Sequence, residues 1–79
     1  MKTMSCRELG GACDLEFHAE TFQEIAQMSQ AHGMEMFQIG DQPHLEAMNK
    51  MMALMQSDGA MGEWMTARQA EFEAKHNHP

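Results

Sequence analysis

The sequence predicts a single α+β domain, residues 1–79, that is mostly α-helical: an N-terminal β-hairpin packs on two to three helices, with an antiparallel helical pair at the C-terminal end. Three observations predict it. A short segment near the N-terminus alternates apolar and polar residues, as a half-buried strand does. The rest of the chain carries apolar residues at helical spacing. A length of 79 residues suits one domain and is too short for two.

The predicted hairpin occupies residues 1–19, with strands at 3–6 and 13–18. A loop of six residues joins the strands and contains the pair Gly10-Gly11, which can reach the positive φ values of tight turns. In this arrangement the two cysteines stand nearly opposite each other. Cys13 then shares a face with Leu15 and Phe17, so we expect both thiols to point at the helices.

Three helices are predicted, at residues 21–38, 42–56 and 58–75. Each range begins at or just after a residue that favours a helix N-cap, namely Thr21, Asp41 and Asp58. Thr21 is followed three residues later by Glu24, which completes a capping box. The connection between the last two helices is about three residues long, which favours an antiparallel pair.

The chain has eleven Met, four Leu, two Ile and no Val, so Met fills most of the predicted apolar helix faces. These faces comprise Phe22, Ile25, Ala26, Ser29, Gly33 and Met36 on the first helix, Leu45, Met48, Met52 and Met55 on the second, and Met61, Trp64, Met65 and Phe72 on the third. Met51 and Leu54 widen the face of the second helix beyond one stripe. We therefore expect a homo-oligomer that forms through the Met-rich helices, with Trp64 as an anchor.

The charge balance excludes several classes of protein. Twelve acidic residues against five basic ones give a formal charge of −7, which is unfavourable for binding nucleic acid or anionic lipid. No segment approaches the roughly 20 apolar residues of a membrane span. No secretory signal is visible at the N-terminus, so we expect a cytoplasmic protein. No catalytic triad and no phosphate-binding loop is present, so we expect no enzymatic activity.

Cys6, Cys13 and His32 are the candidate site residues. His32 lies at the edge of the apolar stripe of the first helix, so it can face the hairpin. Two thiols and an imidazole suit zinc or another soft transition metal such as copper(I), although the Cys-x6-Cys spacing is wider than that of most paired zinc ligands. Two other interpretations stay open: small buried hydrophobes that need no cofactor, and a redox pair.

The remaining histidines carry weaker signals. His44 falls in the first turn of a helix, where we expect a solvated side chain. His76 and His78 lie in a polar tail, which we expect to fray and to bind metal only adventitiously.

The segment Met4–Asp14 reads MSCRELGGACD, and it is followed by the capping box and by His32. This pattern, with the core Cys-x-x-Leu-Gly-x-x-Cys-Asp, resembles the domain of unknown function 1059, a family of short bacterial and archaeal proteins. The resemblance covers the first half of the chain, to about Phe37. In the commoner family pattern a second His follows the first by about one helical turn, whereas this chain has Met or Phe there. If the family's two Cys and two His hold a metal, Met36 or His44 is the candidate replacement.

The resemblance implies no activity, so three functions remain open. The leading hypothesis is a non-enzymatic, self-associating interaction module. The second is a metal-binding or metal-sensing protein that uses Cys6, Cys13 and His32. The third is a thiol redox protein.

Overall fold

The computed structural model describes residues 1–75; His76 and His78, and with them the predicted tail, lie outside the described residues. A two-stranded antiparallel hairpin is followed by three helices, which confirms the predicted α+β, mostly helical fold class. The elements are β1 (Lys2–Ser5), β2 (Glu16–Ala19), α1 (Phe22–Ile39), α2 (Gln42–Met55) and α3 (Ala60–Ala74), with a 3-10 turn at Arg7–Leu9 between the strands.

The hairpin is shorter than predicted. Pairing runs from Lys2 opposite Ala19 to Ser5 opposite Glu16, so the predicted strand at 13–18 is wrong in its first three residues. Residues 6–15 form one long loop instead of the predicted six-residue loop. Leu15 therefore lies outside the strand and is 49% exposed, and it does not share the buried face of Phe17.

The core lies between the hairpin and helices α1 and α3. Met4 and Phe17 project from the hairpin, Phe22 and Ile25 from α1, and Phe72 from α3. The ring centres of Phe22 and Phe72 are 6.0 Å apart. The C-terminal end of α3 is thus packed back onto the first strand, where the Lys2 ammonium lies 5.1 Å from the centre of the Phe72 ring.

Two of the three predicted helix caps are confirmed. The Thr21 hydroxyl accepts the Glu24 N–H at 3.2 Å, and the Asp41 carboxylate accepts the His44 N–H at 3.2 Å. The third prediction, Asp58, is wrong. Gly59 occupies the N-cap of α3 with φ +78°, and no side chain caps that helix.

The predicted face of α1 is confirmed, since Phe22 and Ile25 are buried and the other four residues of that face are half-buried. The predicted core face of α2 is wrong at Met52 and Met55, which are 57% and 63% exposed. These two side chains line an open cavity and do not pack in the core. The buried residue of α2 is His44. Within residues 1–75 no helix combines the length and the apolar character that a membrane span requires.

Candidate metal centre

The long loop between the strands carries both cysteines. The Cys6 N–H donates to the Leu15 carbonyl at 2.8 Å, and the Arg7 N–H donates to the Cys13 carbonyl at 2.9 Å. Both cysteines therefore lie outside the strand ladder, contrary to the prediction, and Cys6 faces Leu15 across the loop. The two hydrogen bonds nevertheless hold the two cysteine segments side by side.

The loop closes tightly around Cys6. The N–H groups of Leu9 and Gly11 both donate to the Cys6 carbonyl, at 3.0 and 2.8 Å. Gly10 has φ +89°, which confirms that this glycine supplies a left-handed turn residue. Gly11 has a different role: a Cβ atom there would lie 2.1 Å from the Cys6 sulfur. The second glycine of the pair therefore provides the space in which the thiol sits.

The helices bring two imidazoles to the same point. His32 on α1 packs edge-on against Phe17, with ring centres 5.9 Å apart, and against His44 on α2, at 5.1 Å. The Nε2 atom of His32 lies 3.3 Å from the Cys13 sulfur, and the Nε2 atom of His44 lies 3.6 Å from the Cys6 sulfur. One ligand atom from each of the four residues lies within 4.8 Å of the other three. The four side chains could thus hold a metal ion.

Asp41 orients one of these ligands. Its carboxylate accepts the backbone N–H of His44 and also lies 2.5 Å from the ring atom Nδ1. A ring that donates its Nδ1 proton to a carboxylate leaves Nε2 as the free lone pair, which is the atom directed at the sulfurs. The helix cap of α2 is therefore also a positioning residue for the site.

Hydrogen bonds and burial shift the pKa values of four groups at the cluster. The hydrogen bond to Asp41 raises the pKa of His44 and lowers the pKa of Asp41. Burial raises the pKa of the Cys6 thiol, although hydrogen bonds from the N–H groups of Cys13 and Ala12 act to lower it. Burial acts upward on the pKa of Cys13 too, but the Leu15 N–H and the side chains of His44 and Cys6 hold it below its ordinary value.

The cluster borders a largely apolar cavity of about 300 Å³ between the loop, α1 and α2. Cys6, His32 and His44 form part of its wall. Four methionines of α2 line the rest of it together with residues of the loop and α1; they are Met48, Met51, Met52 and Met55. The methionine-rich face of α2 thus borders the thiol and imidazole groups.

The structure brings together all three residues that the sequence singled out, Cys6, Cys13 and His32, and adds His44. The expectation of a solvated His44 is wrong, because this side chain is only 6% exposed. The signal that could have identified it is the cap: an Asp three residues before a His, at a helix start, can bind both its N–H and its ring. His18 lies apart, on the exposed face of β2, within hydrogen-bond distance of the Thr3 hydroxyl at 2.8 Å.

Comparison with protein families confirms the resemblance. The family model described as protein of unknown function (DUF1059) matches residues 1–38. Cys6, Cys13 and His32 lie within the matched segment, whereas Asp41 and His44 lie beyond it. Comparison with curated proteins and with solved structures found no significant match.

Proposed function

We propose that the protein binds one zinc ion, or a metal ion of similar preference, through Cys6, Cys13, His32 and His44. The observation that carries the proposal is the convergence of the four ligand atoms within 4.8 Å of one another. They come from three separate parts of the chain, the loop, α1 and α2. Two thiols and two imidazoles form one of the standard ligand sets of structural zinc.

The spacing of the donors supports zinc. Bonds of about 2.3 Å to sulfur and 2.0–2.1 Å to nitrogen in a tetrahedron place neighbouring ligand atoms roughly 3.3–3.8 Å apart, and a sulfur and a nitrogen about 3.5 Å apart. Two of the four sulfur–nitrogen distances are 3.3 and 3.6 Å, and every pair of ligand atoms lies within 4.8 Å. To seat an ion, the wider pairs must close by at most about 1.5 Å.

The ligand count favours a structural or sensing role over catalysis. Catalytic zinc usually has three protein ligands and an open position, whereas four protein ligands close the coordination sphere. A domain of this size is also marginally stable by its core alone and commonly needs a metal, a disulfide or a second copy. The ion would join the loop to both helices.

Elemental analysis of the untagged, reduced protein tests the proposal. We expect one zinc ion per chain, and we expect His44→Ala to weaken zinc binding by at least about 100-fold. Loss of a residue that only hydrogen-bonds to a ligand costs about 10–100-fold, so a loss of this size indicates a direct ligand. His18→Ala is the matched control and should bind zinc as the natural chain does. A His76→Ala/His78→Ala variant separates the tail from the site. Absence of stoichiometric zinc, copper or iron, or full affinity in His44→Ala, would contradict the proposal.

We propose in addition that the chain self-associates through its first two helices. Exposed apolar side chains are concentrated there: Met34, Phe37, Ile39, Met52 and Met55 are each more than half exposed. Single exposed apolar residues are ordinary, but a group on two adjacent helices is typical of a contact surface. Met adapts its shape to a partner, and a second copy is the commonest partner of a small soluble chain.

The mass of the protein in solution tests self-association. Sedimentation equilibrium should give a multiple of 8.9 kDa, and Met52→Glu/Met55→Glu should shift the protein to the monomer because it places charges in the contact. Met65→Glu makes the same kind of change on α3 and should leave the mass unaltered. A monomeric natural chain at a concentration of 100 µM would refute this proposal.

A further inference from the structure

The two thiols of the candidate metal centre lie close enough to react with each other. Their sulfur atoms are within 4.8 Å, and the hydrogen bond from the Arg7 N–H to the Cys13 carbonyl holds the backbones together. Both cysteines are free in the structure. A disulfide requires a sulfur–sulfur distance of about 2.0 Å, so the two sulfurs must approach each other by at most about 2.8 Å.

The two thiols differ in access. Cys6 is only 3% exposed, whereas Cys13 is half-buried and is followed by the exposed residues Asp14 and Leu15. An oxidant from solution therefore meets the Cys13 sulfur first. Cys6 is the less exposed thiol, so we assign it the part of the thiol that resolves a mixed disulfide.

We propose that Cys6 and Cys13 form a redox switch for metal binding, in which a low-molecular-weight disulfide oxidises the pair to a Cys6–Cys13 bond and releases the ion. This inference rests on the function proposed above, because it concerns the metal-bound protein.

The reaction proceeds by two thiol–disulfide exchanges. The Cys13 thiolate attacks one sulfur of the oxidant RSSR, which forms a Cys13–SR bond and expels one RS⁻. The Cys6 thiolate then attacks the Cys13 sulfur, which forms the Cys6–Cys13 bond and expels the second RS⁻. Two electrons pass from the protein sulfurs to the oxidant, and two equivalents of a thiol reverse the reaction.

Oxidation removes both anionic ligands at once. The ion is left with His32 and His44, which are neutral imidazoles on two different helices. A disulfide sulfur is a poor zinc ligand, because the thiolate is the form that binds metal. The metal therefore leaves, and the loop is no longer joined to α1 and α2 through it.

Zinc-loaded protein treated with excess glutathione disulfide tests the switch. The zinc content is measured first, and zinc release is then followed with a coloured chelator. We expect release of the whole zinc content, together with a chain that has lost two hydrogens and retains no glutathione. Peptide mapping should place the bond between Cys6 and Cys13, and a reductant with added zinc should restore the original state.

Two single variants separate the steps. Cys6→Ser should retain glutathione on Cys13, because no resolving thiol is present, and Cys13→Ser should react much more slowly. If either variant fails to fold, the peptide map of the natural chain still shows whether the Cys6–Cys13 bond forms. Zinc that stays bound with both thiols reduced overturns the switch alone, whereas a chain without zinc at the start overturns the proposed function as well. Glutathione adducts or intermolecular disulfides in place of the internal bond also overturn the switch.

Discussion

Removal of the proposed zinc ion is expected to lower the midpoint of thermal unfolding by about 10–20 °C, relative to a free zinc concentration of 100 times the dissociation constant. Binding to the folded state alone then stabilises it by about 2.7 kcal/mol. In a domain of 60–100 residues each kcal/mol corresponds to roughly 4–8 °C. The shift in temperature is large because a chain of 79 residues has a small entropy of unfolding.

The expected loss of stability is concentrated in the loop that carries both cysteines. Residues 6–15 are outside the strand ladder and are held by a few backbone hydrogen bonds around Cys6. The metal would add bonds from this loop to α1 and to α2. Thermal melts followed by circular dichroism, with and without a strong chelator, measure the difference. His18→Ala should show the same shift, and His44→Ala should show almost none; equal midpoints for the natural chain with and without chelator would refute the prediction.

The difference in unfolding midpoint with and without the chelator should become smaller as the pH falls. The pKa of His44 is raised in the folded, metal-free protein, so the protonated ring adds stability. This stability is fully present below the pKa of the unfolded chain, near 6.5, and is lost as the pH rises through the pKa of the folded state. The pKa of Asp41 is lowered, so its contribution is present above the unfolded value and is lost only when the pH falls through the folded value. Protons at His44 and at the thiols compete with the metal. The chelator-induced shift should therefore be larger at pH 8 than at pH 6.

The sequence predicted the fold best where one short pattern decides one element. The face of α1 follows from spacing alone, and the caps at Thr21 and Asp41 follow from local hydrogen bonds. Prediction failed where packing between distant segments decides. Leu15 fits a strand by alternation, but the loop closes around Cys6 before the ladder can extend. Met55 fits a core stripe, but it lines a cavity that the described chain leaves open.

The candidate site shows the same division. Cys6 and Cys13 stand out by residue type, and His32 stands out by its position at the edge of an apolar stripe. His44 carried a weaker signal, as only one of two candidate replacements for the second His of the family pattern, because a His in a first helical turn is usually solvated. Its burial depends on where α2 lies against the loop and α1, and no short pattern in the sequence encodes that placement.

Gly11→Ala is expected to lower both the zinc affinity and the stability of the protein. The added Cβ would lie 2.1 Å from the Cys6 sulfur and 2.9 Å from the Cys6 carbonyl oxygen. Neither neighbour can yield freely, because the sulfur is a proposed ligand and the oxygen accepts the N–H groups of Leu9 and Gly11. We expect zinc affinity to fall at least about 10-fold, as for lost support of a ligand, and stability to fall by about 1–3 kcal/mol, as for overpacking.

A second glycine provides the matched control. Gly62 lies within α3 and a Cβ there would meet nothing within 4 Å. Gly62→Ala should therefore leave zinc binding unchanged and stabilise the protein by about 0.5–1 kcal/mol through helix propensity. Isothermal titration with zinc and chemical unfolding of both variants measure these changes. The φ of Gly11 is not positive, so alanine can adopt its backbone conformation. A loss of zinc affinity in Gly11→Ala therefore reports the lack of space beside the Cys6 sulfur and carbonyl oxygen. Zinc affinity equal to that of the natural chain would show that this close approach does not position the thiol.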